Sequence, residues 1–322
     1  MSKYVTQRLI RSLVTIFVSI TLSFFIIRLM PSNPVDILID PHMTDEVKAS
    51  LMESYGLDQP LAVQYIVFLK GVFTGDLGIS FSTRRPVTEL LAQKLPWTLL
   101  LIAICIFLIV LIGVPLGILA ARKKGQTTDR VVTTVVTMFI SVFIPFLAFL
   151  LLYFFAFHLH WLPTGGAYTP PPTTGWSFFK DVARHSILPG VTLAISNLAS
   201  VVLYTRNSMS EALRDDYVRT ALSKGASSKH AIWHHALRNA MIPTVTVIGL
   251  RIGTMVGGAV LTETVFSWPG IGRMMYDAIQ ALDYPVLQGG FLLLSISVVI
   301  MNFITDIIVA WLDPRIKLGA DA

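Results

Sequence analysis

An all-α membrane protein with six transmembrane helices is the fold class this sequence predicts, and two observations predict it. Of 322 residues, 54% are hydrophobic and only 14% charged, with a mean hydropathy of +0.68; soluble globular domains carry about 25% charged residues. The apolar residues also gather in six blocks near the ~20 residues a helix needs to cross the hydrocarbon core. These cover residues 12–30, 97–121, 131–157, 187–204, 245–265 and 286–312.

Residues 12–30 are too long an apolar run for a signal peptide, and no small-residue cleavage site precedes Pro31. They read as the first span. An external region of about 65 residues follows, too long for a simple connector. Its amphipathic pattern around 46–55, then "LAVQYIVFLKGVF" and the turn-rich "TGDLGIS", predict a small cap against the outer helix ends. The third span holds Pro145, expected to be tolerated because neighbouring helices re-satisfy the freed carbonyl. "TGGAYTPPPTTGW" (164–176) reads as an irregular external loop. "SWPGIGRMMYDAI" after the fifth span reads as a turn and a short helix returning towards the membrane. The expected layout is a first helix plus cap (1–95), a transmembrane core (96–313) and a short tail (314–322). No repeat of 20–50 residues is present, which excludes a solenoid.

Lysine and arginine in the flanks set orientation. With the N-terminus inside, fifteen of the 25 basic residues fall on the inner side and eight on the longer outer segments, so both termini are expected in the cytoplasm. The net charge of +6 is then mainly a topology signal and does not call for a nucleic-acid partner. One cysteine, Cys105, lies in the second span; it allows no intrachain disulfide and makes no metal site.

Between spans four and five the chain reads "DDYVRTALSKGASSKHAIWHHALRNAMIP" (215–243), basic and polar between two greasy blocks. "SMSE" (208–211) has capping-box spacing and predicts a new helical turn there. Asp215 and Asp216 suit the N-cap of "YVRTALSK", Gly225 suits a left-handed C-cap, and Ser227 or Ser228 suits a second N-cap. On the second helix Ile232, Ala236 and Ala240 stack at i, i+4 and i+8, with Trp233 and Leu237 beside them. His234, His235, Arg238 and Asn239 fall on the other arc. The stripe either packs on the ends of this protein's own spans or docks in a groove of a cytoplasmic partner. Pattern alone leaves both open.

From Tyr217 to Pro243 the insert resembles the signature loop of ABC-importer permeases: "RTA" (219–221), then Gly225, then a helix to Leu237. Arg238 stands where the general signature has proline, and "HALRNAMIP" is the form seen in the peptide and nickel branch. "RLMPSNPVDIL", "YGLDQPLAVQY", "GDLGIS", "RPVTELLAQKLPWTLLL", "ILPGVTLAI", "YTRNSMSEAL", "ETVFSWPGIGRMMYDAI", "DYPVLQGG" and "LDPRIKLG" follow in that branch's order. The chain thus resembles the B-type permease subunits of dipeptide, oligopeptide or nickel ABC importers. The resemblance implies a type I ABC importer transmembrane domain in the bacterial inner membrane, its coupling loop at 206–243. It also implies a C-type permease partner, two ABC ATPase subunits that bind ATP and Mg, and an extracytoplasmic solute-binding protein. It places the ATPase-docking coupling helix at Lys224, Gly225, Ala226, Ser227, Ser228, His230, Ile232 and Trp233.

The sequence contains no G-x-x-x-x-G-K-[ST], so this chain is not expected to hydrolyse ATP or to hold a cofactor. His230, His234 and His235 include a metal-competent i, i+4 pair, but no carboxylate lies between Asp216 and Glu263, and they read as polar-face or docking residues. No nucleophile–base or metal cluster points to an enzyme. Charges within spans are costly and suggest function. Arg251 and Glu263, twelve residues and about 18 Å apart along one helix, cannot pair. Asp306, one turn from Asn302, is the expected partner of Arg251; these residues either form a structural pair or line the translocation path. Glu263 is expected near an outer gate, and Arg28 is expected to snorkel. Gly253 and Gly257 have the spacing of close helix packing, with Gly257 expected on the path. A nickel, metal-chelate or glutathione cargo fits the same architecture. A stand-alone secondary transporter would need paired broken spans, which the sequence does not display.

Overall fold

The computed structural model describes residues 2–29, 50, 52–53 and 56–312. The amphipathic pattern expected around 46–55 falls mostly outside the described residues, and the tail 314–322 lies wholly outside them. Among the described residues there are helices and no strand.

Helix α1 is Ser2–Arg28 and α2 is Leu61–Thr74. Helix α3 runs over Val87–Arg122, with a π-helical stretch at Ile109–Gly113. Helices α4 (Thr127–Ile140) and α5 (Ile144–His158) follow, then α6 (Trp176–Ala212) and α7 (Asp216–Ser223). The next helix starts at Ser228–His230, passes through a π-helical stretch Ala231–Ala236 and continues as Leu237–Val265; residues 228–265 are α8. Helices α9 (Ile271–Gln280) and α10 (Tyr284–Leu312) end the described chain.

Four of these helices are long and apolar enough to cross a membrane: α1 over Leu9–Arg28, α3, α6, and α10 over Tyr284–Val309. The count is five if the bent pair α4–α5 is one span. The expected fifth span, 245–265, falls inside α8, where the side chains of residues 253, 254 and 256–258 lie outside the described residues. Among the described residues, five of the six expected spans are thus found as apolar helices, the third of them as a bent pair.

Span three is the clearest correction. Helices α4 and α5 meet at 102° rather than forming one kinked rod. Pro145 has no N–H, and in a continuous helix its ring would press on the carbonyl of Ser141. The chain instead leaves the helix at Ser141, extends at Phe143 (φ −65°, ψ 121°), and restarts with Pro145 in the first turn, where a missing N–H is harmless.

Spans two and four are longer than hydropathy predicts, 36 and 37 residues. Residues 208–211 begin no new helix; they lie inside α6. Met209, Ser210 and Ala212 are buried there, and packing outweighs the local capping pattern. The second helix of the insert is likewise not a separate interfacial element, because it runs straight into α8 through Pro243.

At about 1.5 Å per residue α8 is roughly 57 Å long, so its two ends belong to different ends of the bundle. At the insert end, Ile118 and Ala121 of α3 pack with Met209 and Ala212 of α6, Val218 of α7, and Ile232, Ala236 and Ala240 of α8. Mid-bundle, Leu101, Cys105 and Ile109 meet Leu193, Val201, Ile252 and Met255. At the far end, Ile27 joins Val87, Leu91, Leu282, Tyr284 and Leu287. Helices α8 and α10 approach closely at Gly249, where an added Cβ would fall 2.0 Å from the Thr305 side chain. The packing expected at Gly253 and Gly257 concerns positions whose surroundings lie outside the described residues.

Candidate functional site

The insert is a tightly capped turn. Asp215 occupies the N-cap of α7 in an extended conformation, although its side chain makes no capping hydrogen bond. At the other end Gly225 has φ +88°; its N–H donates to the Leu222 carbonyl (3.0 Å) and that of Ala226 to the Ala221 carbonyl (3.1 Å). That pair of bonds is the Schellman closure, which requires a left-handed residue where Gly225 sits. Two residues on, the His230 N–H donates to Ser227 Oγ (3.2 Å), which starts α8. Two backbone turns therefore stand back to back with no slack between them.

The two readings of the Ile232–Trp233 stripe separate by face. Ile232, Ala236 and Ala240 are buried against this chain's own helices, burial worth about 1.5–3 kcal/mol for a side chain the size of Ile232. Ile232 therefore offers no exposed contact and acts as the root of the turn. Lys224, Gly225, Ser227, Ser228, His230 and Trp233 are exposed and Ala226 half-buried, so together they form its tip. Trp233 is 51% exposed. The His230 and His234 rings stack at 4.9 Å, with His235 edge-on at 5.6 Å. Among the described residues no group of three His, Cys, Asp or Glu side chains could hold a metal ion.

At the same end, Arg206 of α6 donates from Nε and Nη2 to the two carboxylate oxygens of Asp129 on α4 (2.6 and 2.7 Å). The Gly125 N–H donates to the same carboxylate at 2.9 Å. This two-pronged pair ties the α3–α4 turn to the helix that leads into the insert. Nothing in the local sequence pattern signals it, because its partners lie 77 residues apart.

The far end holds two buried carboxylates. Glu263 is fully buried near the end of α8. Thr98 donates its hydroxyl to Oε1 at 2.7 Å, and the Arg273 N–H donates to Oε2 at 3.1 Å. Thr98 Oγ1 in turn accepts from the Ile271 N–H at 2.9 Å. Glu263 and Thr98 thus satisfy the free N–H groups at the start of α9, as a capping side chain would. An added Cβ at Gly270 would sit 2.2 Å from Glu263 Oε1, which accounts for glycine in "WPGIG". Trp268 is also fully buried, its indole N–H donating to the Trp97 carbonyl at 3.0 Å. Glu263, expected near an outer gate, accepts hydrogen bonds here from Thr98 and from the turn that follows its helix.

Asp283 is the second carboxylate, and sequence reading passed over it. Ser80 donates to Oδ2 (2.5 Å), and the Phe81 and Ser82 N–H groups donate to Oδ1 and Oδ2 (both 3.1 Å). It fastens the "GISFS" loop to the start of α10. The available signal was an aspartate just before a helix, at the N-cap position of "DYPVL". Arg251 of α8 with Asn302 and Asp306 of α10 are half-buried, and Arg251 and Asp306 each have an interaction partner. They lie on the two helices that meet at Gly249 and Thr305.

Residues 113–318 match the family described as binding-protein-dependent transport system inner membrane component, and residues 1–102 match its N-terminal membrane component. The probable peptide ABC transporter permease protein y4tP of Sinorhizobium fredii is 39% identical over 98% of this chain and 100% of its own length. The dipeptide transport system permease protein DppB of Escherichia coli K12 is 38% identical over 94% of this chain and 95% of its own. Among solved structures, an inward-facing MetNI methionine ABC transporter chain is similar in fold, with a TM-score of 0.54 and 19% identity. That likeness covers 70% of this chain and 97% of that one.

Proposed function

The chain belongs to the inner membrane components of binding-protein-dependent transport systems, and from that membership we propose that it forms half of the translocation path of an ATP-driven peptide importer. The observation that carries the reading is likeness along almost the whole chain to permeases named for peptide and dipeptide transport. A second, C-type permease completes the path. Two ABC ATPases bind ATP and Mg on the cytoplasmic side, where both termini lie, and an extracytoplasmic solute-binding protein delivers the cargo.

The rigid tip at Lys224–Ser228, with His230 and Trp233, is the part of this chain that rides on an ATPase. Its support is mechanical. Because α8 continues without a break from the tip to Glu263, a force on the tip reaches the far end along one helix. Ile232 roots that lever in its own bundle, and the Asp129–Arg206 pair fixes the neighbouring helix. Arg251, Gly257, Asn302 and Asp306 are the chain's polar and small contributions to the path, with Glu263 holding the far-end turn.

A nickel, metal-chelate or glutathione cargo remains the alternative on the same architecture; the relatives' names favour peptides. A stand-alone secondary transporter is the alternative of another class. Detergent extraction of the tagged chain, co-expressed with its neighbouring subunits, decides between classes. ATPase subunits are expected to co-purify, and uptake of a labelled dipeptide into proteoliposomes should require ATP. Gradient-driven uptake by the chain alone would sink the proposal.

A further inference from the structure

Between α1, α2, the turn after α2 and the start of α10 lies a cavity of about 390 Å³. Arg28, Gln64, Lys70 and Gln288 line it with Val63 and Val67. Three of these residues each hold a side-chain atom buried without a hydrogen-bond partner: Arg28 Nε, Gln64 Oε1 and Gln288 Nε2. Five buried side-chain atoms lack partners among the described residues, and three of them belong to residues that line this cavity. A buried polar atom without a partner forfeits its hydration with nothing in return, and native proteins rarely leave several together.

The guanidinium of Arg28 lies over the rings of Phe24 (5.5 Å) and Tyr284 (5.2 Å). Ring faces attract the cation but give its N–H groups no acceptor. Water can satisfy the two amides yet brings no opposing charge to Arg28. What fits is an anionic oxygen receiving from Arg28 and Gln288, with a neighbouring hydroxyl donating to Gln64 Oε1.

The surroundings indicate where such a group comes from. Ile26 and Leu29 at the end of α1, and Ile66, Val67 and Phe73 of α2, are large apolar side chains more than half exposed. Helix α2 buries none of its residues. A cationic, donor-rich cavity beside an apolar exposed face has the charge and polarity profile of a phospholipid: phosphate inside, acyl chains along the outer wall. We propose that this cavity holds the headgroup phosphate of an anionic phospholipid, with Arg28 and Gln288 donating to it, Lys70 adding charge at the edge, and Gln64 accepting from a headgroup hydroxyl. This reading does not depend on the transported cargo.

Native mass spectrometry of the full-length chain, titrated with dioleoylphosphatidylglycerol, tests it. One lipid should be retained, with affinity falling about fivefold or more in Arg28→Gln and in Gln288→Leu, a loss of roughly 1 kcal/mol. Gln288→Leu keeps the site's volume, so it decides the matter even if Arg28→Gln folds poorly. Equal retention by the wild type and Gln288→Leu would overturn the proposal. So would Arg28-dependent binding of inorganic phosphate with no lipid retained, which would make this a site for a small free anion.

Discussion

Replacing Gly225 with aspartate is expected to lower ATP-coupled uptake at least about tenfold while the protein stays in the membrane at near wild-type level. Gly225 sits at φ +88° with open space where a Cβ would project, so the bundle itself has no clash to relieve. Aspartate is among the residues that visit the left-handed region, and the backbone penalty is about 1–2 kcal/mol or less. That strain cannot unfold a bundle held by the Ile118–Met209–Ile232 cluster beneath the turn. A large transport defect would therefore come from what the added carboxylate meets outside this chain. Transport and membrane abundance are measured side by side; wild-type uptake by the variant would remove Gly225 from the coupling surface.

Substituting Glu263 by alanine is expected to have the opposite profile, with loss of the folded protein before any loss of transport can be read. The substitution strips the acceptor from the Thr98 hydroxyl and the Arg273 N–H at the start of α9. Each buried donor left without a partner costs about 1–3 kcal/mol, and the vacated volume beside Gly270 and Gly272 adds a cavity term. A total of about 3–6 kcal/mol approaches the whole stability of many domains. Membrane abundance and the thermal unfolding midpoint report it. Glu263→Gln retains one acceptor oxygen and is expected to fall between the two. A Glu263→Ala protein with unchanged abundance and midpoint, but altered transport, would mean that the carboxylate is a gate and not an anchor.

Local chemistry made the insert legible. The spacing of Asp215, Gly225 and Ser227 is a statement about structure within a few residues; helices start after Asp215 and Ser227 and one closes at Gly225, although only Ser227 makes its side-chain cap bond. Helix continuity was not legible, because it depends on distant burial. Ser208 and Glu211 offer a capping box, yet Met209 and Ala212 are drawn into the core and α6 continues. Pro145 shows the reverse: tolerance of a proline depends on neighbours able to take the freed carbonyl, and here the chain bends by 102° instead. The anchoring carboxylates escape local reading for the same reason. Asp283 finds Ser80 across 203 residues and Glu263 finds Thr98 across 165. The charge pattern flagged Glu263 as unusual for a span but carried no information on what it would hold.

In the proposed importer, the tip at Lys224–Ser228 is the surface on which an ATPase subunit drives this chain. Cys105 is its only cysteine and is fully buried, so one introduced thiol is the only reactive one on the chain. A benzophenone attached at Lys224→Cys in the purified complex should, on illumination, join this chain to an ATPase subunit, with a yield that changes when ATP is added. Photoproducts that contain lipid or this chain alone, in a preparation where the ATPase is present, would mean that the tip is not the docking surface.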